Sequence, residues 1–205
     1  MKPSMPRLLK YPTIPAFHIS KYKHPVKFTV PPAKKPIFGN ILIFRGPSGA
    51  GKTTISQLLV EEHKDKVKAF HLGFERRRNH LGFSLSDKVL VLSKIKKRIN
   101  LALKKGKYVI LDELFDFKEQ LIAVRENHPH AKIFVIFLKV PMKVSIKRAS
   151  SRSKGKYYTP LKKDHIEGLW YLSHFVKCGK MVNANRNVDD VFQSVEKLLK
   201  KEGFV

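Results

Sequence analysis

The chain has 205 residues, and its 42 lysines and arginines against 16 aspartates and glutamates give a formal net charge of +26. This length accommodates one well-buried domain with a tail and is too short for two ordinary domains. The single cysteine, Cys178, excludes an internal disulfide and a cysteine-based zinc site, and no apolar run is long enough to span a membrane.

The first 36 residues are predicted to form an extended basic arm, so that the folded domain spans 37–205. They hold eight of the twelve prolines, which disfavour helices and paired strands of useful length. Residues 1–60 contain ten lysines and arginines and no acidic residue. Interspersed aromatic residues such as Phe17, Tyr22 and Phe28 favour an arm that orders on a surface, with a disordered tail as the alternative.

A strand is predicted at 40–45 and a helix at 52–64, and between them residues 46–54 read GPSGAGKTT, a match to G-x-x-x-x-G-K-[ST]. Glycines let successive backbone N–H groups turn towards a phosphate, and the helix N-terminus adds partial positive charge. The lysine of such loops reaches the β- and γ-phosphates, and the next hydroxyl, here Thr53, holds Mg²⁺. The predicted nucleotide contacts are Gly46, Ser48, Gly49, Ala50, Gly51, Lys52, Thr53 and Thr54. The nucleotide can be ATP or GTP, because these contacts go to phosphates.

Strands and helices alternate through the rest of the chain. Further strands are predicted at 67–71, 108–112, 133–138 and 180–183, and helices from Ser86, at 117–128, from Pro141 and at 188–201. The apolar side of the helix from Ser86 is assigned to Val89, Leu92, Ile95, Ile99, Leu101 and Leu103. Uninterrupted apolar strands in this order predict a three-layer αβα fold with a five-stranded parallel sheet. The 46–54 loop then lies at the carboxyl edge of the sheet, where open α/β folds bind ligands.

Two further groups are candidates for the chemistry. Asp112 and Glu113 end a predicted strand, where a carboxylate can hold the Mg²⁺ water shell or orient an attacking group. Asp112 is therefore a candidate metal ligand and catalytic residue, with an acidic strand-end cap as the alternative. Arg148 and Arg152, four residues apart, are candidate lid arginines that neutralise the transferring phosphate, or else part of a basic stripe that faces RNA.

Several sequence blocks between about 40 and 200 resemble a known family. They are the 43–56 loop-and-helix segment, the LGFS sequence at 81–84 followed by Asp87, the 138–148 segment with Lys154, Gly155 and Tyr157, and the 182–198 end segment. Together they are similar to small P-loop phosphotransferases, and most closely to adenylylsulphate kinases. The resemblance implies a P-loop NTPase/kinase-like α/β fold, ATP with Mg²⁺, and transfer of the γ-phosphate to adenylylsulphate.

The acceptor side departs from that family. The family carries Asp-Gly-Asp after its second strand, where this chain has residues 71–73, His-Leu-Gly. His71 can replace the missing base or can be a packed strand-end histidine. Arg76 matches a family arginine that contacts the acceptor. After Asp87, where the family has arginine and asparagine side chains, this chain has Lys88, Val91, Ser93 and Lys94. We expect a degraded acceptor site.

Two functions follow from these features. The first is a catalytically degenerate, NTP-binding protein that contacts RNA, most simply rRNA, and neighbouring subunits of a ribonucleoprotein such as the mitochondrial ribosome. The second is an active kinase for adenylylsulphate or another small hydroxyl acceptor, and an RNA-directed kinase or NTPase assembly factor is the remaining alternative. The net charge, the acid-free arm and the missing Asp pair favour the first. The N-terminus lacks the apolar segment of a secretory signal and, like import peptides, lacks acidic residues, although it is proline-rich rather than amphipathic. A mitochondrial location is therefore expected, or otherwise a cytoplasmic one.

Overall fold

The computed structural model describes residues 25–151 and 161–204. Its strands are β1 (Val26–Lys27), β2 (Asn40–Arg45), β3 (Val67–His71), β4 (Tyr108–Asp112), β5 (Lys132–Lys139), β6 (Val176–Lys177) and β7 (Lys180–Asn183). Five of them form a parallel sheet in the order β3–β4–β2–β5–β7, and β1 and β6 form a short parallel pair. The predicted α/β fold with a five-stranded parallel sheet is confirmed.

The helices are α1 (Lys52–Glu62), α2 (Leu72–Arg78), α3 (Leu85–Lys104), α4 (Lys118–Asn127), α5 (Met142–Ser150), α6 (Lys163–Phe175) and α7 (Val188–Lys201). Helices α2 and α6 were not predicted. Helix α2 has only seven residues and follows β3 directly. It is therefore too short to show the helical spacing of apolar residues from which a helix is predicted. Helix α6 buries Ile166, Leu169 and Leu172, and this helical spacing is a signal from which it could have been found. Within the described residues, no helix has the length and apolarity needed to cross a membrane.

Helices cover both faces of the sheet. Along β2, Ile41 and Ile43 pack with α3 and α4 on one face, whereas Leu42 and Phe44 pack with α1 and α7 on the other. All four side chains are at most 2% exposed, so the strand reads as a continuous apolar run. Each such side chain contributes roughly 1.5–3 kcal/mol through burial.

The buried side of α3 corrects the sequence assignment. Leu101 is 55% exposed, so its placement on the apolar side was wrong, and Val89 is only half-buried. The buried stripe is Lys88, Val91, Leu92, Ile95, Ile99 and Ala102. Val91 is part of the apolar core that covers one face of the sheet. This burial explains why position 91 carries an apolar side chain rather than a polar one.

The last dozen residues of the predicted arm lie against the domain. Strand β1 pairs with β6, and Phe28 and Val30 pack on the core cluster of α3 and α4. The Arg125 Nε donates to the Pro31 carbonyl at 2.9 Å. The arm is therefore attached from residue 25 onwards, and residues 1–24 lie outside the described residues.

Arg45, the last residue of β2, is a fully buried cation held by carbonyl oxygens. Its guanidinium donates to Phe115 at 3.2 Å and to Ser173 at 2.9 Å, and also to Val176 and Cys178. Burial lowers its pKa to about 10. The carbonyls near the end of α6 have no partner within the helix, so Arg45 satisfies them and ties α6 to the strand that precedes the 46–54 loop.

Replacing Arg45 with methionine should lower the free energy of unfolding by about 2–4 kcal/mol, because buried carbonyls lose their donors. Urea unfolding monitored by circular dichroism measures this change. The matched control is Arg125→Met, which also removes a guanidinium that donates to several carbonyls but from a partly exposed position. Equal losses for the two variants would contradict the special role of Arg45.

Candidate nucleotide-binding and acceptor site

Two glycines give the 46–54 loop its shape. Gly46 has φ 139°, and a Cβ there would lie 2.5 Å from the Leu138 carbonyl oxygen. Gly49 has φ 79°, and a Cβ there would lie 2.8 Å from the Ser145 carbonyl oxygen. Both positions therefore require glycine, since any side chain would collide with neighbouring backbone. The Ser145 hydroxyl donates to the Ser48 carbonyl at 2.5 Å and fixes the loop against α5.

The ammonium group of Lys52 lies over the loop at the start of α1. Its Nζ donates to the carbonyls of Gly46 at 2.8 Å and Pro47 at 2.9 Å. Thr53 and Thr54 follow in the first turn of the helix, whose N-terminus carries partial positive charge. This arrangement places a cation, hydroxyl groups and backbone N–H groups where phosphates would bind.

A cavity of about 450 Å³ joins this loop to the ends of β3 and β4. It brings together the predicted residues Ser48, Gly51, Lys52, Thr53, Thr54 and Asp112. Its other polar lining groups are His71, Arg76, Arg77, Glu113 and His165, and its apolar walls come from Phe74, Phe83, Leu114, Leu161 and Leu169. The donor loop and the candidate catalytic carboxylate therefore share one space.

Asp112 pairs with His71 across neighbouring parallel strands. The two residues occupy the same register, and His71 Nδ1 lies 2.9 Å from Asp112 Oδ2. The hydrogen bond to Asp112 raises the pKa of His71, although partial burial opposes it. His71 is thus neither an isolated base nor a core residue, but the partner of the carboxylate that faces the loop.

Glu113 is paired with Arg76 on the wall of the cavity. Arg76 donates to the two carboxylate oxygens at 2.6 and 3.3 Å, and both side chains are 5% exposed. Arg76 also donates to the Gly82 carbonyl at 2.7 Å, and its guanidinium lies 4.4 Å from the centre of the Phe83 ring. The arginine matched to acceptor recognition is therefore held by a carboxylate, and Glu113 acts as its counter-ion.

A second buried ion pair joins Lys88 of α3 to Asp116. The Nζ lies 2.8 and 2.7 Å from the two carboxylate oxygens, and the side chains are 4% and 1% exposed. Lys88 occupies a position where the family resemblance implies an acceptor-facing arginine, but here its charge is neutralised inside the protein. Asp116 carried no recognisable signal in the sequence, because its partner lies 28 residues away.

Arg148 lies on the other side of the loop. It lines a second cavity, of about 420 Å³, with Gly49, Ala50, Thr54 and Arg186, and it donates to the Ala184 carbonyl at 2.9 Å. The structure does not bring Arg148 together with Asp112, so its action on the transferring phosphate stays a prediction. Arg152, Lys154, Gly155 and Tyr157 lie outside the described residues.

The donor set of the first cavity fits Mg²⁺. The Thr53 hydroxyl and the Asp112 carboxylate line the same space, and both are hard oxygen ligands. Mg²⁺ in phosphoryl-transfer sites uses one or two protein oxygens and completes its shell with phosphates and water. The Asp112 carboxylate can therefore contact the metal or its water shell while His71 holds one of its oxygens.

The fold is shared with solved kinases. The Mycobacterium tuberculosis APS kinase CysC in complex with AMPPNP and APS is 20% identical, with a TM-score of 0.59 and coverage of 80% of this chain and 99% of that one. A cysteine-to-alanine mutant of that enzyme matches with the same identity and coverage and a TM-score of 0.52. An unliganded sugar kinase from Janibacter sp. is 14% identical, with a TM-score of 0.61 and coverage of 79% and 95%.

No curated protein matches the chain in sequence. The family model described as adenylylsulphate kinase matches residues 38–193, which is most of the chain and includes the loop, the LGFS segment and the last strand. The chain therefore belongs to the adenylylsulphate kinase family.

Proposed function

We propose that this protein binds Mg²⁺–ATP at the 46–54 loop and transfers the γ-phosphate to a hydroxyl acceptor other than adenylylsulphate. The observation that carries the proposal is the shared cavity, which is lined by Lys52 and Thr53 of the loop and by the His71–Asp112 pair. A phosphate donor and a group that orients a hydroxyl are the two requirements of such a transfer.

The phosphate-donor side uses the residues of the 46–54 loop that match the G-x-x-x-x-G-K-[ST] pattern. Lys52 binds the β- and γ-phosphates, and the loop N–H groups with the N-terminus of α1 bind the remaining phosphate oxygens. Bound Mg²⁺ would neutralise charge on the same phosphates. The second cavity, with the planar guanidinium of Arg148 and the carbonyl of Ala184, is suited to a purine base. ATP is preferred over GTP in the proposal because the Mycobacterium tuberculosis relative was solved with AMPPNP.

The acceptor side argues against adenylylsulphate. A charge-assisted hydrogen bond from a free arginine to an anion contributes roughly 1.5–3 kcal/mol, or about 10- to 150-fold in affinity. Arg76 and Lys88 are already paired with Glu113 and Asp116. Freeing either one would leave a buried carboxylate without a partner, which costs several kcal/mol. These two cations of the acceptor side therefore offer little to an anionic nucleotide.

Removal of the Lys52 charge should weaken nucleotide binding. Lys52→Ala should lower the affinity for Mg²⁺–ATP by about 10- to 150-fold, because the charge-assisted phosphate contact is lost. Calorimetry with Mg²⁺–ATP and Mg²⁺–GTP measures the effect and the base preference. Lys64→Ala, an exposed lysine just after α1, is the control. If wild type and Lys52→Ala bind equally, the loop is not the nucleotide site.

Adenylylsulphate should be a poor acceptor. Loss of a positioned base typically lowers the rate by about 10²–10⁴-fold, and the paired cations weaken acceptor binding further. A coupled assay for ADP release, run beside an active adenylylsulphate kinase, measures the turnover. Rates on the order of 1–100 s⁻¹ with adenylylsulphate would refute the altered acceptor site.

A second candidate function, an RNA-contacting role in a ribonucleoprotein such as the mitochondrial ribosome, is supported by the charge distribution. The buried acids Glu75, Asp112, Glu113 and Asp116 are nearly balanced by the buried cations Arg45, Arg76 and Lys88, so the net charge of +26 is carried by the other residues of the chain. Such an excess of positive charge favours a polyanion. In this role the basic arm would contact rRNA or neighbouring subunits, and the protein would be mitochondrial or, failing that, cytoplasmic.

RNA binding should be strongly salt-dependent. If about six basic residues contact phosphates, the affinity should fall about a thousandfold between 50 and 200 mM salt. Deleting residues 1–24, which spares the packed residues 25–36, should reduce the slope of log affinity against log salt. Fluorescence anisotropy with a labelled RNA measures both. A flat salt dependence in the intact chain would rule out the RNA-contacting role.

A further inference from the structure

We infer that the acceptor is the terminal hydroxyl of a single-stranded polynucleotide, whose phosphates lie on the outer face of α2 and α3. The inference rests on the phosphotransferase function proposed above and names the substrate class of that site. It combines the paired basic groups of the cavity wall with the basic surface that begins at its rim.

The α2–α3 face is defined by Arg77, Arg78, Lys94, Lys97, Lys104 and Lys105, all of them exposed. Residues 76–111 contain eleven lysines and arginines and a single acid, Asp87, which is held by Ser84. Within the described residues, none of the four lysines of this face forms an ion pair with a carboxylate. These four lysines therefore carry positive charge that no carboxylate of the described residues compensates.

The two helices present this charge on one surface. Arg98 of α3 contacts Glu75 of α2 at 2.7 Å, and its guanidinium lies 5.1 Å from the centre of the Phe70 ring. Lys94, Lys97 and Lys104 recur at helical spacing on the side of α3 opposite its buried stripe. From residue 94 to residue 105 the helix rises about 16 Å, a length sufficient for several phosphates.

The face reaches the cavity at its rim. Arg77 lines the cavity and belongs to the face. Phe83, which is 51% exposed, lines the same rim and can stack on a base. A strand that follows α3 towards its N-terminus therefore arrives at the opening that leads to His71 and Asp112.

The paired charges of the cavity wall and the basic charge of the α2–α3 face together determine which kind of acceptor can enter the cavity. On the cavity wall, Arg76 and His71 are paired with Glu113 and Asp112, so an entering phosphate finds these two basic groups already neutralised. Outside, each phosphate meets lysine and arginine. A polynucleotide satisfies both conditions, because its terminal base and sugar are uncharged and its phosphates begin one linkage further along the chain.

ATP is the only co-reactant that this phosphate transfer requires. The terminal hydroxyl oxygen forms a bond to the γ-phosphorus while the bond from that phosphorus to the β–γ bridging oxygen breaks. ADP leaves, the hydroxyl proton passes to solvent, and the polynucleotide gains a terminal phosphate. Asp112, held by His71, orients the hydroxyl for this step.

Binding is tested with fluorescein-labelled 12-nucleotide RNA and DNA of one sequence. The face variant is Lys94→Gln/Lys97→Gln/Lys104→Gln. The control is Lys64→Gln/Lys197→Gln/Lys201→Gln, which loses the same charge on the side of α1 and α7. The face variant should bind roughly 10- to 50-fold more weakly at 0.15 M salt, and its salt slope should fall by about 2. Equal weakening in both variants, or binding to anionic phospholipid vesicles but to neither oligonucleotide, would overturn the inference.

Transfer is tested with γ-labelled ATP and the same oligonucleotides carrying hydroxyl groups at both ends. Label should appear on RNA, DNA or both, mass spectrometry should place it at one terminus, and Asp112→Asn should reduce it. ATP binding without any transfer to either oligonucleotide would refute the polynucleotide acceptor and leave nucleotide binding intact. Failure to bind ATP would instead overturn the proposed function.

Discussion

Three carboxylates in the segment 112–116 each hold a basic group from the segment 71–88, and the site depends on these pairs. Asp112 contacts His71, Glu113 contacts Arg76, and Asp116 contacts Lys88. A buried charge without a partner costs several kcal/mol, so the pairs fix β3, α2 and the start of α3 relative to β4. The acceptor wall of the cavity is thereby positioned by the same interactions that neutralise it.

The donor half of the site is held in a different way. Gly46 and Gly49 approach neighbouring backbone too closely for any side chain, and Arg45 fixes the strand before them to the end of α6 through carbonyl oxygens. The phosphate loop is thus a rigid element that presents Lys52 at the wall of the cavity. The excess positive charge lies outside, on the surface, where long-range attraction raises the local concentration of polyanions.

The sequence predicted the elements whose signals are local. The loop at 46–54 follows from its glycine spacing, and the five parallel strands follow from continuous apolar runs. The pairing of Asp112, Glu113 and Asp116 could not be predicted, because the partners lie 28 to 41 residues away and are brought together only by strand register and helix packing. The role of Arg45 could not be predicted either, because its partners are backbone carbonyl oxygens, which every residue type has. Leu101 was misplaced because an apolar residue can lie on the exposed side of a long helix.

The central claim is that Arg76 and Lys88, the two cations expected on the acceptor side, are neutralised by Glu113 and Asp116. Calorimetry of adenosine and adenylylsulphate binding to the protein loaded with Mg²⁺–AMPPNP tests it most directly, because the two molecules differ in their anionic group. At 1 M salt the Debye length is about 3 Å, so the attraction of the basic surface is screened. The account predicts that adenosine binds within about threefold of adenylylsulphate. A preference for adenylylsulphate of about 10- to 150-fold, the value of a charge-assisted hydrogen bond from an available arginine, would contradict it.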